Sequence, residues 1–167
     1  IEKELSVFLE KYAPDGLFFY NYDFPESATA FADYLSCGGG MNYSDYLDGA
    51  SRKIVESASG LVRKKAPGVQ VGLIAEPQWA TTKENEAGQN TLDPYSMLTD
   101  GHCDVKAMIE DGLADMIAVK AFGSLTDSKI PFERIVKWWS ELAAENEVRM
   151  YTIHAADRMA NSTYAGW

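Results

Sequence analysis

Four short apolar runs divide the chain, and a helix-type stretch precedes each of them. The runs cover residues 17–20, 69–74, 116–119 and 148–153, and they are nearly continuously apolar. Runs of this kind are typical of strands covered on both faces of a parallel sheet. Residues 1–12, 46–65, 104–112 and 131–145 are the predicted helices, and Pro131 is expected in the first turn of the last one. The alternation predicts an α/β fold of parallel βα units with right-handed crossovers.

The connections between these elements are unequal in length. Helix-to-strand connections are short, whereas residues 20–45 and 76–101, which follow the first two strands, show no clear periodicity. In parallel α/β folds the strand-to-helix loops open on one face, and ligands bind there. The sequence therefore places the functional face at the carboxyl ends of the strands.

The two long loops are aromatic and acidic. Residues 20–46 hold five tyrosines and two phenylalanines, and residues 20–46 and 76–101 together hold nine acidic residues against one base, Lys83. A rim of this composition suits neutral polyols such as sugars, cationic ligands or a calcium ion, and it does not suit phosphates. Ordinary solvation of charged loops is the alternative explanation.

Charge and cysteine content exclude several classes of partner. The net charge of −10 argues against nucleic acid and anionic membranes, because both bind basic patches. No apolar run approaches the roughly 18–20 residues of a membrane span, so no membrane insertion is expected. Cys37 and Cys103 form either one disulfide or two ordinary buried thiols. Because no CxxC occurs and His102, Cys103 and Asp104 are adjacent rather than spaced for ligation, neither a metal nor another cofactor is expected.

Four segments resemble the motifs of one protein family in order and spacing. They are residues 15–22, 65–73 followed by Trp79, 108–118, and the pair Trp138-Trp139 with residues 151–155. They are similar to the "DGI-x-F-DDY", "K-x-P-x-V-x-x-G-I", "E-G-w-i-D" and "WW … L-Y-I-G-H-A" patterns of the bacterial glycosyl-hydrolase-like family 10. The resemblance implies a TIM barrel. A complete (β/α)8 barrel takes roughly 250 residues, so residues 1–167 are expected to be one segment of four βα units, about half of the barrel, without the flanking strands.

The resemblance implies a glycoside hydrolase that acts on polysaccharide outside a bacterial cell or in its envelope. The chain begins at Ile1 without a signal-peptide pattern, and we expect it to be cut from a longer polypeptide. Tyr20 and Asn21 stand where the family has an acidic pair, and residues 119–122 depart from its "P-Q-x-Y" pattern. One alternative is therefore a catalytically inactive barrel module that binds glycan. Another is a flavodoxin-like or receiver-like domain, which the lack of an acidic cluster, phosphate loop or flavin-type loop at a strand end disfavours.

Glycoside hydrolysis normally requires two carboxyl groups, and the strand ends offer two candidates. Glu76 follows the second strand, which is the position of catalytic residues in barrels; pairing with Lys120 or Arg158, or plain solvation, is the alternative. Asp23 lies two residues past the replaced acidic pair, and turn formation in Asp23-Phe24-Pro25 explains it equally well.

Five further residues are predicted to bind substrate. Tyr22, Trp79 and Tyr95 are candidates for stacking on sugar rings. Lys120 follows the third strand and is expected to hold a carboxylate or a sugar hydroxyl, to have its pKa lowered in a pocket, or to form a structural ion pair. His154 ends the fourth strand and contacts either a substrate hydroxyl or the core edge. Open sheet edges and an uncovered apolar layer predict self-association of the isolated segment.

Overall fold

A computed structural model describes residues 2–92, 95–125 and 127–156. This part of the chain contains five helices and four strands, and at least one helix precedes each strand. In chain order they are α1 Glu2–Tyr12, β1 Gly16–Phe19, α2 Ala28–Cys37, α3 Tyr43–Lys65, β2 Gln70–Ala75, α4 Val105–Glu110, β3 Met116–Lys120, α5 Phe132–Glu145 and β4 Arg149–Ile153. The predicted α/β class is confirmed, and each predicted strand is present to within one residue at either end.

The four strands form one sheet in the order β1-β2-β3-β4, and every neighbouring pair is parallel. A sheet that grows in one direction through right-handed crossovers carries its helices on one face. Doubly wound folds of the flavodoxin type instead reverse the strand order at a switch point. The flavodoxin-like alternative is therefore wrong, and the arrangement is that of half a parallel βα barrel; the described residues form no closed barrel.

The main core lies between the sheet and its helices. Leu73, Ile117 and Val119 point to this face and are fully buried against α3, α4 and α5. Trp139 of α5 is also fully buried, which confirms that at least one tryptophan of the Trp138-Trp139 pair packs in the core. A smaller cluster joins Leu9 of α1 to the outer end of the same layer.

The opposite face of the sheet is only partly covered by the described residues. Phe18 on β1 is 42% exposed, and its ring meets Tyr151 of β4 edge-on at 6.0 Å between centroids. Gly72 lies beneath Phe18, where an added Cβ would stand 2.5 Å from the ring. The expectation that all four strands are covered on both faces is wrong for β1 and β4, because each has one neighbouring strand and no described helix packs over this face.

The first long loop is the main difference from the sequence prediction. Its centre forms α2, where the Ser27 side chain caps the helix by accepting from the Ala30 N–H at 3.1 Å. Asn42 caps α3 in the same way, so α3 begins three residues earlier than predicted. Gly39 and Gly40 have positive φ and turn the chain between these helices. We call residues 27–46, which hold α2 and the start of α3, the helical hairpin.

The start of α5 and the state of the two cysteines also differ from the sequence prediction. Pro131 precedes α5 as its N-cap residue rather than lying in the first turn. Cys37 and Cys103 are both free; Cys103 is buried, and Cys37 is exposed, against the expectation of two buried thiols. No helix within the described ranges is long and apolar enough to cross a membrane.

Candidate functional site

Three strand ends bring their side chains together at the carboxyl edge of the sheet. Lys120 ends β3, and its Nζ donates one hydrogen bond to Glu76 Oε1 and another to the Tyr20 hydroxyl at 2.7 Å. The same ammonium lies 4.2 Å from the centroid of the Tyr20 ring. We call Tyr20, Glu76 and Lys120 the strand-end cluster. Of the alternatives for Glu76, the structure shows the pairing with Lys120; Arg158 lies outside the described residues.

The neighbours of Lys120 in the strand-end cluster stabilise its positive charge. Burial acts to lower the pKa of Lys120, but hydrogen bonds to Glu76 and Tyr20 outweigh it, so the pKa is raised. The option of a lowered lysine pKa is therefore wrong, because the neighbouring carboxylate favours the ammonium form. Lys120 remains a cation at neutral pH, positioned to donate hydrogen bonds.

Asp23 and Tyr95 form a second polar pair close to the cluster. The Tyr95 hydroxyl donates to Asp23 Oδ2 at 2.9 Å. Burial is the first cause of a raised pKa at Tyr95, followed by the bond to Asp23 and by the negative charges of Asp23 and Glu76. The negative charges of both candidate carboxylates, Asp23 and Glu76, therefore raise the pKa of Tyr95. Tyr95 is half-buried, and its hydroxyl orients Asp23.

Tyr22 is buried, which contradicts its predicted part in sugar stacking. Its side chain is 3% exposed, and its hydroxyl has no hydrogen-bond partner among the described residues. Burial raises its pKa well above the ordinary value, and the charges of Cys103, Asp23 and Glu76 act in the same direction. Because neither ring face is open, Tyr22 is a core residue beneath the site.

Trp79 is equally buried, so its predicted stacking on sugar is also contradicted. Its ring is 3% exposed and lies parallel to Trp138, with centroids 5.5 Å apart and a 16° interplanar angle. Its Nε1 donates to Asp104 Oδ1 at 3.0 Å, and Lys106 Nζ lies 5.7 Å from the ring centroid. Trp79 therefore holds the second loop to α4 and α5.

Two buried amide side chains, which sequence reasoning missed, fix the turn after Glu76. Gln78 Nε2 donates to the Tyr95 carbonyl at 2.6 Å, and Gln89 Nε2 donates to the Pro77 carbonyl at 2.7 Å. Gln89 Oε1 accepts from the Trp79 N–H at 2.6 Å. A glutamine in a polar loop gives no sign of its burial in the sequence. These bonds hold the loop that carries Glu76 in one conformation.

His154 lies at the end of β4 with an exposed ring. The ring packs on Phe132 of α5 at 5.6 Å between centroids, and Nε2 lies 2.9 Å from Thr152 Oγ1. These contacts belong to the fourth βα unit. The structure therefore brings Glu76, Lys120, Asp23 and Tyr95 to the first three strand ends, with His154 beyond them.

The described residues of the site do not form a set of metal ligands. Within residues 2–92, 95–125 and 127–156, no three His, Cys, Asp or Glu side chains are grouped as metal ligands. His102 lies in the loop before α4 with its side chain buried, and its Nδ1 lies 2.9 Å from Asp48 Oδ1. The acidic side chains of the site are instead engaged by Lys120, Tyr95 and His102.

The chain is similar to distant proteins that carry glycosyl hydrolase names. It is 22% identical over 148 residues to "Glycosyl hydrolase DigH" of Escherichia coli (strain K12), an alignment that covers 86% of this chain and 34% of that protein. It is 22% identical over 126 residues to "Glycosyl hydrolase YngK" of Bacillus subtilis (strain 168), covering 75% of this chain and 25% of that protein. The chain thus spans about a third or less of the length of these curated relatives. No family model matches it.

Proposed function

We propose that this chain is the part of a carbohydrate-active barrel that supplies a catalytic carboxylate for glycoside hydrolysis, and that Glu76 is that carboxylate. The observation that carries the proposal is the strand-end cluster: Lys120, which also donates to the Tyr20 hydroxyl, holds Glu76 at the carboxyl edge of a parallel sheet. Catalytic groups of barrels are found at this edge. The glycosyl hydrolase names of the distant relatives support the same chemistry.

The ion pair suits Glu76 to a reaction step that needs a carboxylate rather than a carboxylic acid. In hydrolysis the bond between the anomeric carbon and the leaving oxygen breaks, the leaving oxygen gains a proton, and water supplies the hydroxyl group on the anomeric carbon. A carboxylate serves as nucleophile or as the base that activates water. Lys120 holds one Glu76 oxygen and leaves the other for the reacting centre.

Asp23 is the second carboxyl group that the chain offers. Tyr95 donates to one of its oxygens, so its position is fixed relative to the loop that follows Glu76. We assign it second place because it lies four residues past the end of β1 rather than directly after a strand, and because strands outside this segment also border a barrel cleft. Residues 1–167 are then one segment of four βα units, and the substrate is a polysaccharide.

Hydrolysis by the complete polypeptide that carries this chain tests the proposal. Release of new reducing ends from a panel of neutral polysaccharides is measured for the wild type, Glu76→Gln and Glu110→Gln. Glu110 is the matched control, because it also pairs with a lysine, Lys106, but on α4 and outside the cluster. Loss of a carboxylate used in acid–base catalysis costs roughly 10²–10⁴ in rate.

The expected result is a loss of that size in Glu76→Gln with an unchanged rate in Glu110→Gln. Equal rates in the wild type and Glu76→Gln would remove Glu76 from the mechanism. Binding of polysaccharide without any hydrolysis by the wild type would favour the inactive glycan-binding barrel.

A further inference from the structure

The helical hairpin carries a groove that the strand-end cluster does not use. Five residues line it, and together they offer a carboxylate, a small hydroxyl and two aromatic rings: Glu26, Ser27, Ala28, Phe31 and Tyr43. We call it the hairpin groove. It lies on the strand-to-helix side of the sheet, because the hairpin connects β1 to the body of α3.

The aromatic rings of the hairpin groove are ordered but not part of the core. Phe31 is 46% exposed, and α2 contributes no buried residue. The Phe31 ring meets Tyr43 edge-on, with centroids 5.2 Å apart and an 87° interplanar angle, and Tyr34 packs against both. An exposed ring held in one orientation by neighbouring rings is a platform on which a flat apolar face can stack.

The charge around the hairpin groove restricts what it can bind. Residues 12–51 contain six acidic residues and no Lys, Arg or His. Such a surface repels phosphates, nucleic acids and polyuronates. Sugar rings without acidic groups present apolar C–H faces to aromatic rings and hydroxyl donors to carboxylates, which matches Phe31 and Tyr43 beside Glu26.

The hairpin groove lies beside the loop that begins at Glu76. The Phe24 N–H donates to the Gly101 carbonyl at 2.8 Å, which ties the segment just before the hairpin to the loop that begins at Glu76. Glu26 Oε1 lies 3.9 Å from His102 Nε2 on that second loop. Because Asp23 is three residues before Glu26, their Cα atoms lie within about 11 Å of each other, a distance that one polymer chain can span.

We infer that the hairpin groove is a secondary binding site for a glycan chain without acidic groups, one end of which lies at the strand-end cluster. The inference rests on the proposed function for its substrate class. It adds that the substrate is a polymer held at two places, so long chains gain affinity that short substrates lack.

The test compares four forms of the complete polypeptide: wild type, Phe31→Ala, Phe31→Leu and Leu35→Ala. Leu35 is the matched control, since it lies one turn further along α2, is 70% exposed and does not line the groove. Calorimetric titration with neutral hexasaccharides of glucose and of N-acetylglucosamine measures affinity, and a chromogenic monosaccharide glycoside measures hydrolysis of a short substrate. Phe31→Leu keeps the apolar volume without the ring, so it separates stacking from packing.

The expected result is a roughly 10-fold weaker Kd for at least one hexasaccharide in both Phe31 variants, the change that about 1.4 kcal/mol produces. Leu35→Ala keeps the wild-type Kd and the wild-type rate on the short glycoside, and the Phe31 variants lose more affinity for the hexasaccharide than rate on the short glycoside. Unchanged hexasaccharide affinity in the Phe31 variants, binding of neither hexasaccharide by the wild type, or preference for a polyuronate hexamer or a lysine-rich peptide would overturn the inference. Phe31-dependent binding without hydrolysis would sink the proposed function and leave the groove in place, whereas hydrolysis with Phe31-independent binding would do the reverse.

Discussion

Replacing Trp139 with phenylalanine tests how the core holds the turn after Glu76. Trp139 is fully buried, and its Nε1 donates to the Pro77 carbonyl at 2.7 Å. Phenylalanine removes this hydrogen bond, worth about 1 kcal/mol, and leaves a void whose cost, with the lost burial, is roughly another 1–2 kcal/mol. The carbonyl keeps its second donor, Gln89 Nε2, at 2.7 Å, so no orphaned acceptor adds to the cost. We expect a loss of about 2–3 kcal/mol in the free energy of unfolding.

Trp138 provides the matched comparison on the same helix. It is only half-buried, and its Nε1 donates to the exposed Ala87 carbonyl at 2.9 Å, where water can replace it. Trp138→Phe should therefore cost under about 1 kcal/mol. Urea unfolding of the complete polypeptide, followed by circular dichroism, measures both variants. Equal losses in the two would refute the reasoning that burial and the bond to Pro77 set the difference.

Two further predictions concern the thiols and alkaline pH. A thiol reagent at pH 8 should titrate Cys37 in the folded chain and reach Cys103 only after unfolding, because Cys103 is buried and burial raises its pKa to about 12; rapid reaction of both thiols would contradict this. Since the unfolded thiol titrates near 9.0 and the folded one near 12, its contribution to stability is complete below pH 9 and is lost as the pH rises towards 12. The urea midpoint should fall over that interval, less steeply in Cys103→Ala, and a flat midpoint would refute the assignment.

The sheet could be predicted from the sequence because its strands are short apolar runs. Ile117 and Val119 lie on a strand whose residues are almost all buried, and such a run has few other stable arrangements. The strand order is a consequence of the same connections, since each unit adds beside the previous one. Helix α5 was predicted nearly to the residue, because its apolar positions form one stripe.

Helix α2 could not be predicted in the same way. Its apolar side chains, such as Phe31 and Leu35, do not enter the core, so the stripe that usually indicates a helix is absent. Tertiary contacts and the Ser27 cap stabilise it instead. The sequence indicated only that this segment lies in a long loop on the predicted functional face.

The position of the candidate site was predicted from the sequence, but most of the contacts between its side chains were not. Glu76 follows β2 and Lys120 ends the adjacent strand β3, so the register of the two strands brings them together. Tyr20 was noted only as a replacement for an acidic residue. It follows β1 and lies two residues before the row of Glu76 and Lys120 in the register, and its hydroxyl still reaches Lys120 Nζ. The burial of Tyr22 and Trp79 depends on how two irregular loops pack, and no periodic pattern in a sequence records that packing.

Chemical rescue of Glu76→Ala measures most directly whether Glu76 is a catalytic carboxylate. The alanine variant of the complete polypeptide is assayed on its best polysaccharide substrate with added sodium formate and, as a control, sodium chloride of equal ionic strength. If Glu76 reacts as a carboxylate, the variant loses roughly 10²–10⁴ in rate, and formate, but not chloride, restores part of it. A rate within a few-fold of the wild type, or a loss that formate leaves unchanged, would show that Glu76 serves Lys120 as a structural partner and takes no part in the reaction.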